Sequence, residues 1–366
     1  MRHPSHFSSA CVLALFVSYF SLAMFWPYSG TILENSDDGT EVNDSIWYQD
    51  GYQSSLNYLG RRNTSKFDVG FRFHVGNLMQ AERIAYARLR LASFGSDIQS
   101  SLHLFIEGVL QPSATAFSTD ERPSQKVPKT KNKVDWTIQE SWKEGQPDVP
   151  LYYSSPDISQ VINEIIALPN WGLGAAGKTL IINLEENGSS EEQTNLVYFD
   201  DFESSTKVTT PAVLEIYRTV YDTFIGKEHL GVVSDSSATI NLYSLIDTDL
   251  YVQYGTTPGI LIDQTQPLSD LRGETPIEIS LDGLKADTRY YYRLVFRQAG
   301  EGKFETGEIR TFHTQRSKGS SFSFAIIADE HLQNMYRYPH KEDRMELYWI
   351  TLGLPLSHKY FAARSW

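Results

Sequence analysis

Two side chains near the C-terminal end have types and spacing suited to metal chemistry. Asp329 and His331 stand one residue apart, directly after the apolar run Phe322-Ser-Phe-Ala-Ile-Ile-Ala328. A strand buried in a parallel sheet is apolar throughout, and its C-terminal end is where an α/β sheet gathers ligands. A carboxylate and an imidazole leaving one strand end could reach the same cation. Hard oxygen with borderline nitrogen suits iron, manganese or zinc. Two donors hold a metal poorly, so this chemistry needs ligands that the pair alone does not supply.

Other groupings compete with it. Trp47, Trp136 and Trp142 are candidate glycan-contacting residues, and with Trp171, Tyr48, Tyr52 and Tyr58 they offer flat rings for a sugar. Aromatic residues of this kind serve more often as core. Asp200 and Asp201, beside Glu185, Glu186, Glu191 and Glu192, supply the oxygens that calcium takes. The plainer reading is a solvated acidic turn. Lys126, Lys129, Lys131 and Lys133, interspersed with Pro123, Ser124 and Pro128, read as a solvated basic loop. His313, His340 and His358 have no neighbour at ligand spacing and read as surface residues.

The elements that must position these groups are mostly strands. Phe67–Val75 and Ala85–Leu91 alternate apolar and polar residues, and Leu102, Leu104 and Ile106 continue the pattern. Leu180–Leu184 and Val213–Tyr217 supply later strands. One helix interrupts them: Ser155-Pro156-Asp157 reads as its start, with Ile158, Val161, Ile162 and Ile165 on one face and Pro169 as its stop. Several short antiparallel strands of this kind predict a sandwich over residues 47–222. A second β domain is expected over 226–315, with Leu250–Gly255 as one strand and Tyr290, Tyr292 and Leu294 facing its core.

Composition sets outer limits. The chain of 366 residues has 32 basic and 45 acidic side chains, a formal charge of −13, which repels polyanions and argues against nucleic acid as a partner. The apolar run Cys11–Phe25 follows Arg2, His3 and His6 and reads as a secretory signal peptide, with residues 1–30 as its extent. It is shorter than the ~20 residues of a membrane span, so membrane attachment is expected only if the signal stays uncleaved. A secreted or cell-surface protein follows. Cys11 is the only cysteine and would leave with the signal, so packed cores rather than disulfides must supply stability. Residues 31–46, with Asp37, Asp38 and Asp44, read as a disordered acidic lead-in. The sequons at Asn43, Asn63 and Asn187 read as chance occurrences.

Three resemblances refine this picture. The pair Phe71-Arg-Phe-His-Val75 and Ala87-Arg-Leu-Arg-Leu91, with Val134-Asp-Trp136, Trp142, Ser155–Ile165 and Pro211–Ile216, resembles the DNRLRE-type β-sandwich modules of exported bacterial proteins. That resemblance implies carbohydrate or cell-surface binding. Leu284-Lys-Ala-Asp-Thr-Arg-Tyr290 resembles the L-x-P-x-T-x-Y consensus of fibronectin type III domains, with Ala286 in place of proline. In such domains the tyrosine hydroxyl bonds back to the backbone at a corner. The domain also resembles the one that precedes the catalytic domain of purple acid phosphatases. The strand ending in Asp329-Glu-His331 resembles the first motif of calcineurin-like metallophosphoesterases, which implies a mostly β chain closed by the first β-α unit of an α/β domain at 322–366. In that family two metals (Fe, Mn or Zn) activate a bridging water that attacks a phosphate ester. The later blocks G-D-x-x-D, G-N-H-[DE] and G-H-x-H occur nowhere in the sequence. The catalytic domain is therefore expected to be truncated and the chain inactive, its metal binding doubtful. The alternative is a secreted carbohydrate- or surface-polysaccharide-binding protein without catalysis.

Overall fold

The computed structural model describes residues 28–49, 56–145, 150–201, 211–316 and 319–320. The expected signal run, the β-α unit, Asp329, His331, His340, His358 and Tyr52 lie outside the described residues. Within them the protein is mostly β, with several antiparallel sheets and one α-helix.

The first sandwich comprises β1 (Tyr28–Gly30), β2 (Asp38–Val42), β3 (Ile46–Tyr48), β4 (Leu56–Arg62), β5 (Ser65–His74) and β6 (Tyr86–Ile98). It continues through β7 (Leu102–Gly108), β8 (Val134–Ile138), β9 (Tyr152–Ser154), α1 (Ser159–Ile166), β10 (Thr179–Glu186), β11 (Thr194–Asp200) and β12 (Val213–Tyr217). The strand order is β1-β12-β6-β11-β4-β5-β10-β7-β8. The long β6 serves both layers: its first half pairs with β12 and its second half with β11, across a bulge at Tyr198/Phe199. Bulges bend a strand and let it turn from one layer into the other. Phe71 and Phe73 of β5, Leu180, Ile182 and Leu184 of β10, and Leu214 and Ile216 of β12 meet in one core. Each fully buried side chain of this kind contributes roughly 1.5–3 kcal/mol.

Helix α1 begins at Ser159, three residues beyond the expected proline start. The reason is Asp157, whose Oδ1 accepts the Ser159 N–H at 2.9 Å and the Ala87 N–H at 3.0 Å. That carboxylate holds the first residue of the helix and ties it to β6 at once. Ile158, Val161, Ile162 and Ile165 are buried, as their spacing predicts.

The expected disordered lead-in at 31–46 is corrected by the structure. Strand β2 pairs with β3 and β5, and Asp37, Asp38, Thr40 and Glu41 are wholly buried. The acids fold because each finds partners. Asp37 pairs with Arg72 and His74, both at 2.9 Å; Asp38 accepts from Asn57 at 3.2 Å. Strand β1 pairs with β12, so the sandwich begins at Tyr28 rather than at residue 47. Residues 28–30, within the expected extent of the signal, pair with β12 as strand β1.

The second sandwich follows residue 217. One sheet contains β13 (His229–Gly231), β14 (Ser237–Tyr243) and β18 (Pro276–Asp282). The other is built on β15 (Thr248–Gly255) and β19 (Arg289–Gln298). Its short strands are β16 (Asp263–Gln264), β17 (Leu268–Leu271), β20 (Glu305–Thr306) and β21 (Arg310–His313). Strand β18 alternates buried and exposed residues along its whole length, the signature of a sheet wet on one face. Tyr290, Tyr292 and Leu294 enter the core, as their alternation predicts. The Tyr290 hydroxyl accepts the Lys285 N–H at 2.9 Å, closing the corner before β19.

Tyr290→Phe removes that acceptor and leaves a backbone donor unpaired. The change is expected to destabilise the second sandwich by about 1–3 kcal/mol, read as a lower denaturant midpoint. An unchanged midpoint would show that the corner bond adds nothing to the fold.

Candidate functional site

The residues singled out in the sequence have definite places. Trp47 packs 5.2 Å from Phe117 in a small cluster with Val109 and Ile181. Trp136 lies 5.9 Å from Trp142, and Trp142 stacks on Tyr153 at 4.5 Å with near-parallel rings. All three candidate glycan tryptophans are buried, as is Trp171. Their faces are taken up by packing, and an edge of Trp136 lines a cleft.

The basic stretch is solvated only in part: Lys131 and Lys133 are exposed, whereas Lys126 and Lys129 are drawn into the protein. Residues 109–133 lie as a strap across the outer face of the first sandwich, and Lys126 is only 3% exposed. Lys126 pairs with Glu121 and donates to Thr115 Oγ1 at 2.7 Å. Lys129 reaches Glu107 at 3.2 Å and Glu185 at 3.3 Å, and Lys133 also pairs with Glu107. The buried Glu41 carboxylate fixes the strap, accepting from Arg122 Nε at 3.0 Å and from Ser124 N and Oγ at 2.9 and 2.7 Å. At Gly70 a Cβ would sit 2.6 Å from Pro123 and 2.7 Å from Phe117, so only glycine lets the strap lie flat.

The acidic residues divide in the same way: Glu191 and Glu192 are exposed, whereas the others are buried or partnered. Burial works against ionisation of Glu107, but Lys133 and Lys129 outweigh it and hold its carboxyl below the ordinary range. Burial and the neighbouring Glu107 raise Glu185. Glu186 pairs with Arg61 at 2.6 Å, and Asp200 and Asp201 are buried. Among the described residues no three His, Cys, Asp or Glu side chains gather where they could hold a metal. His313 is half-buried, its Nδ1 2.8 Å from the Thr314 carbonyl.

What the structure does bring together is a cleft of about 450 Å³ between the two sandwiches. One wall is Tyr86, Trp136 and the turn Ser154–Asp157; the other is Leu245, Asp247 and the turn Arg272–Glu274. The walls are held by a charge network beneath them. Glu215 of β12 accepts from Arg88 Nε at 2.7 Å, Arg90 Nη1 at 2.9 Å and the Tyr217 hydroxyl at 3.3 Å. Arg88 Nη1 then lies 4.0 Å from Glu274 on the second sandwich. Tyr86 and Tyr217 pack 5.6 Å apart and join the core of the second sandwich.

Two carboxylates at the cleft are held by hydrogen bonds. Asp157 is fixed by its two backbone donors and by Ser159 Oγ at 2.9 Å; burial raises its carboxyl. Asp247 Oδ1 accepts the Gly273 N–H at 2.8 Å. Burial pushes the Tyr86 phenol up to about 12, so it keeps its proton and can donate. Sequence reasoning singled out Trp136 for its ring and Asp157 only as a helix start. It missed Asp247, Arg272 and Glu274, which sit on turns of another domain with no spacing pattern to mark them.

No protein-family model matches the sequence, and no curated protein matches it. Among solved structures the chain is similar to the sensor domain of the anti-sigma factor RsgI4 of Pseudobacteroides cellulosolvens. That likeness is 15% identical over 27% of this chain and 95% of that one, with a TM-score of 0.20. It is also similar to the FN5 domain of Drosophila Lar, at 16% identity over 25% and 94% of the two chains, TM-score 0.19. The FN1–FN3 domains of chicken CNTN1 match at 9% identity over 71% and 65%, TM-score 0.21. Likenesses this distant carry nothing about ligand or activity.

A pH dependence follows from Asp68 on β5, which pairs with Lys66 at 2.8 Å and accepts the Glu186 N–H at 2.7 Å. Burial outweighs both contacts and pushes its carboxyl up to about 7. A raised carboxyl favours the protonated folded state. Its stabilising contribution is therefore full below about pH 4 and is lost as pH rises towards about 7. Relative to Asp68→Asn, the natural protein should lose up to about 1.4 kcal/mol per pH unit across that window. Urea midpoints of the two proteins that stay parallel with pH would contradict this.

Proposed function

We propose that the two sandwiches are the non-catalytic portion of an exported metal-dependent phosphoesterase. The observation that carries the reading is the Tyr290–Lys285 corner, at the fibronectin-like signature residues Leu284–Tyr290. The described strand β21 ends at His313, and the sequence then runs into the apolar segment ending in Asp329-Glu-His331. A sandwich of this kind placed ahead of such a motif is the arrangement that the purple acid phosphatase resemblance implies.

In this reading Asp329 would give a carboxylate oxygen and His331 an imidazole nitrogen to one metal of a pair. Such a pair polarises a phosphate ester and supplies a water nucleophile when bound. The remaining ligand blocks do not occur in these 366 residues. The chain's own contribution is then to fold, to space and to bind, and not to turn over substrate. Export is supported by the apolar run Cys11–Phe25. A second reading, surface binding without any catalytic relative, is favoured by the cleft between the sandwiches.

Hydrolysis of p-nitrophenyl phosphate with added manganese, zinc or iron separates the two parts of this proposal. No turnover above an Asp329→Ala control is expected from this chain. Turnover abolished by Asp329→Ala would overturn the non-catalytic assignment. Reading the coding frame beyond Trp366 tests the family: a G-D-x-x-D block supports it, and unrelated sequence removes it.

A further inference from the structure

We propose that Lys129 of the strap and Asn183 of β10 join in an intramolecular isopeptide bond, formed with loss of ammonia and assisted by Glu107 and Glu185. The bond concerns the first sandwich alone and does not depend on the phosphoesterase reading. Cys11 is the only cysteine, so no disulfide can tie the strap down. An amide between these two side chains does so without one.

Strand register brings the groups together. Asn183 and Glu107 stand directly opposite each other where β10 pairs with β7. Leu180, Ile182 and Leu184 of β10 enter the core, so Ile181, Asn183 and Glu185 alternate onto the face that the strap covers. Lys129 comes down from the strap onto that patch. Its Nζ lies 3.2 Å from Glu107 and 3.3 Å from Glu185, and it donates to the Pro123 carbonyl at 3.0 Å. Asn183 Nδ2 donates to the same carbonyl at 3.1 Å, so the amine and the amide share one acceptor. Ion pairing alone accounts for Lys129 beside two carboxylates. It does not account for Asn183, which is wholly buried and whose Oδ1 accepts no hydrogen bond among the described residues. A buried carbonyl left unpaired is costly, and this one sits where an attacking amine would arrive.

The two carboxyl groups supply the proton transfers. Glu107 and Glu185 lie within hydrogen-bond reach of each other, and carboxylates so close favour holding one proton between them. Burial raises the Glu185 carboxyl, which suits it to take a proton from the Lys129 ammonium. The freed lone pair on Nζ then forms a bond to Asn183 Cγ, and the carbonyl electrons move to Oδ1. A proton from the attacking nitrogen passes through the carboxyl pair to Nδ2. Nδ2 leaves as ammonia with the electrons of the broken C–N bond, and the C=O bond re-forms. One secondary amide and one ammonia replace one amine and one primary amide, with no oxidant or reductant. Holding the partners side by side in the fold lowers the entropic part of the barrier.

The experiment folds the full chain, then denatures it and maps its tryptic peptides by mass spectrometry. The expected product is a branched peptide that joins residues 127–131 to residues 179–207 and is uncut at Lys129. Its mass should fall about 17 Da below the sum of its two parts, the mass of one ammonia. Lys129→Arg keeps a cation beside Glu107 and Glu185 and should yield no branched peptide. In the double variant Glu107→Gln/Glu185→Gln the linked fraction at a fixed time after synthesis should fall roughly tenfold or more. A cooperative melting transition shows that each variant folds. Linear peptides alone from the natural protein, cut at Lys129, overturn the proposal whatever the variants do. So does loss of ammonia without a link, as the Asn187-Gly188 pair could give by cyclising. An unchanged linked fraction in the folded double variant overturns the part assigned to the carboxyl groups.

Discussion

The arrangement of the two sandwiches depends on one buried carboxylate. Glu215 is almost wholly removed from water, yet it is surrounded by Arg88, Arg90 and the Tyr217 hydroxyl at hydrogen-bond distances. A lone carboxylate at that depth would cost several kcal/mol, and two guanidinium donors offset the cost. Arg88 and Arg90 hold the Glu215 carboxyl below its ordinary range against the effect of burial, so the charge persists. Charge fixed there orients Arg88 towards Glu274 and leaves Tyr86 and Tyr217 to join the neighbouring core. The second sandwich thus meets the first at the Tyr86–Tyr217 pair and at the approach of Arg88 to Glu274. The cleft exists because that contact covers only part of the facing walls.

The linker adds a second constraint. Thr219 and Asp222 cap each other's backbone N–H groups in the turn after β12. Tyr221 then stacks on Phe296 at 5.5 Å, and its hydroxyl donates to Glu228 at 3.1 Å. Arg310 of β21 closes on the same Glu228. A connection built from reciprocal caps, a stacked ring and an ion pair gives the chain few alternative courses between the two cores.

Much of the fold was legible in the sequence, and the division follows range. The strands around Phe71, Leu89, Leu104 and Ile182 announced themselves by local alternation, and Tyr290 by its spacing from Leu284. Those signals are encoded within a few residues. The strap and the buried lead-in were not legible, because Glu41 is stabilised by Arg122 and Ser124, and Asp37 by Arg72 and His74. Acids and lysines that find distant partners look, residue by residue, like solvated surface. The candidate site was half legible for the same reason: Trp136 draws notice as a ring, whereas Arg272 and Glu274 gain meaning only where a second sandwich meets Asp157.

Strand β1 closes the first sandwich by pairing with β12, its last strand. The outermost residues of that unit are therefore neighbours in space, although nearly the whole unit separates them along the chain. Long-range closures of this kind slow folding, because loop entropy must be lost before the pairing is gained. On a ribosome the sandwich could not be completed until Tyr217 had emerged. Until then β1 and one edge of β6 would lack their partner strand. The buried charge pairs that hold β2 and the strap are poorly suited to forming early, since they need the dry surroundings that only the closed sheet provides. Completion is thus a late event that leaves a long vulnerable interval, during which a holdase would have the most to protect.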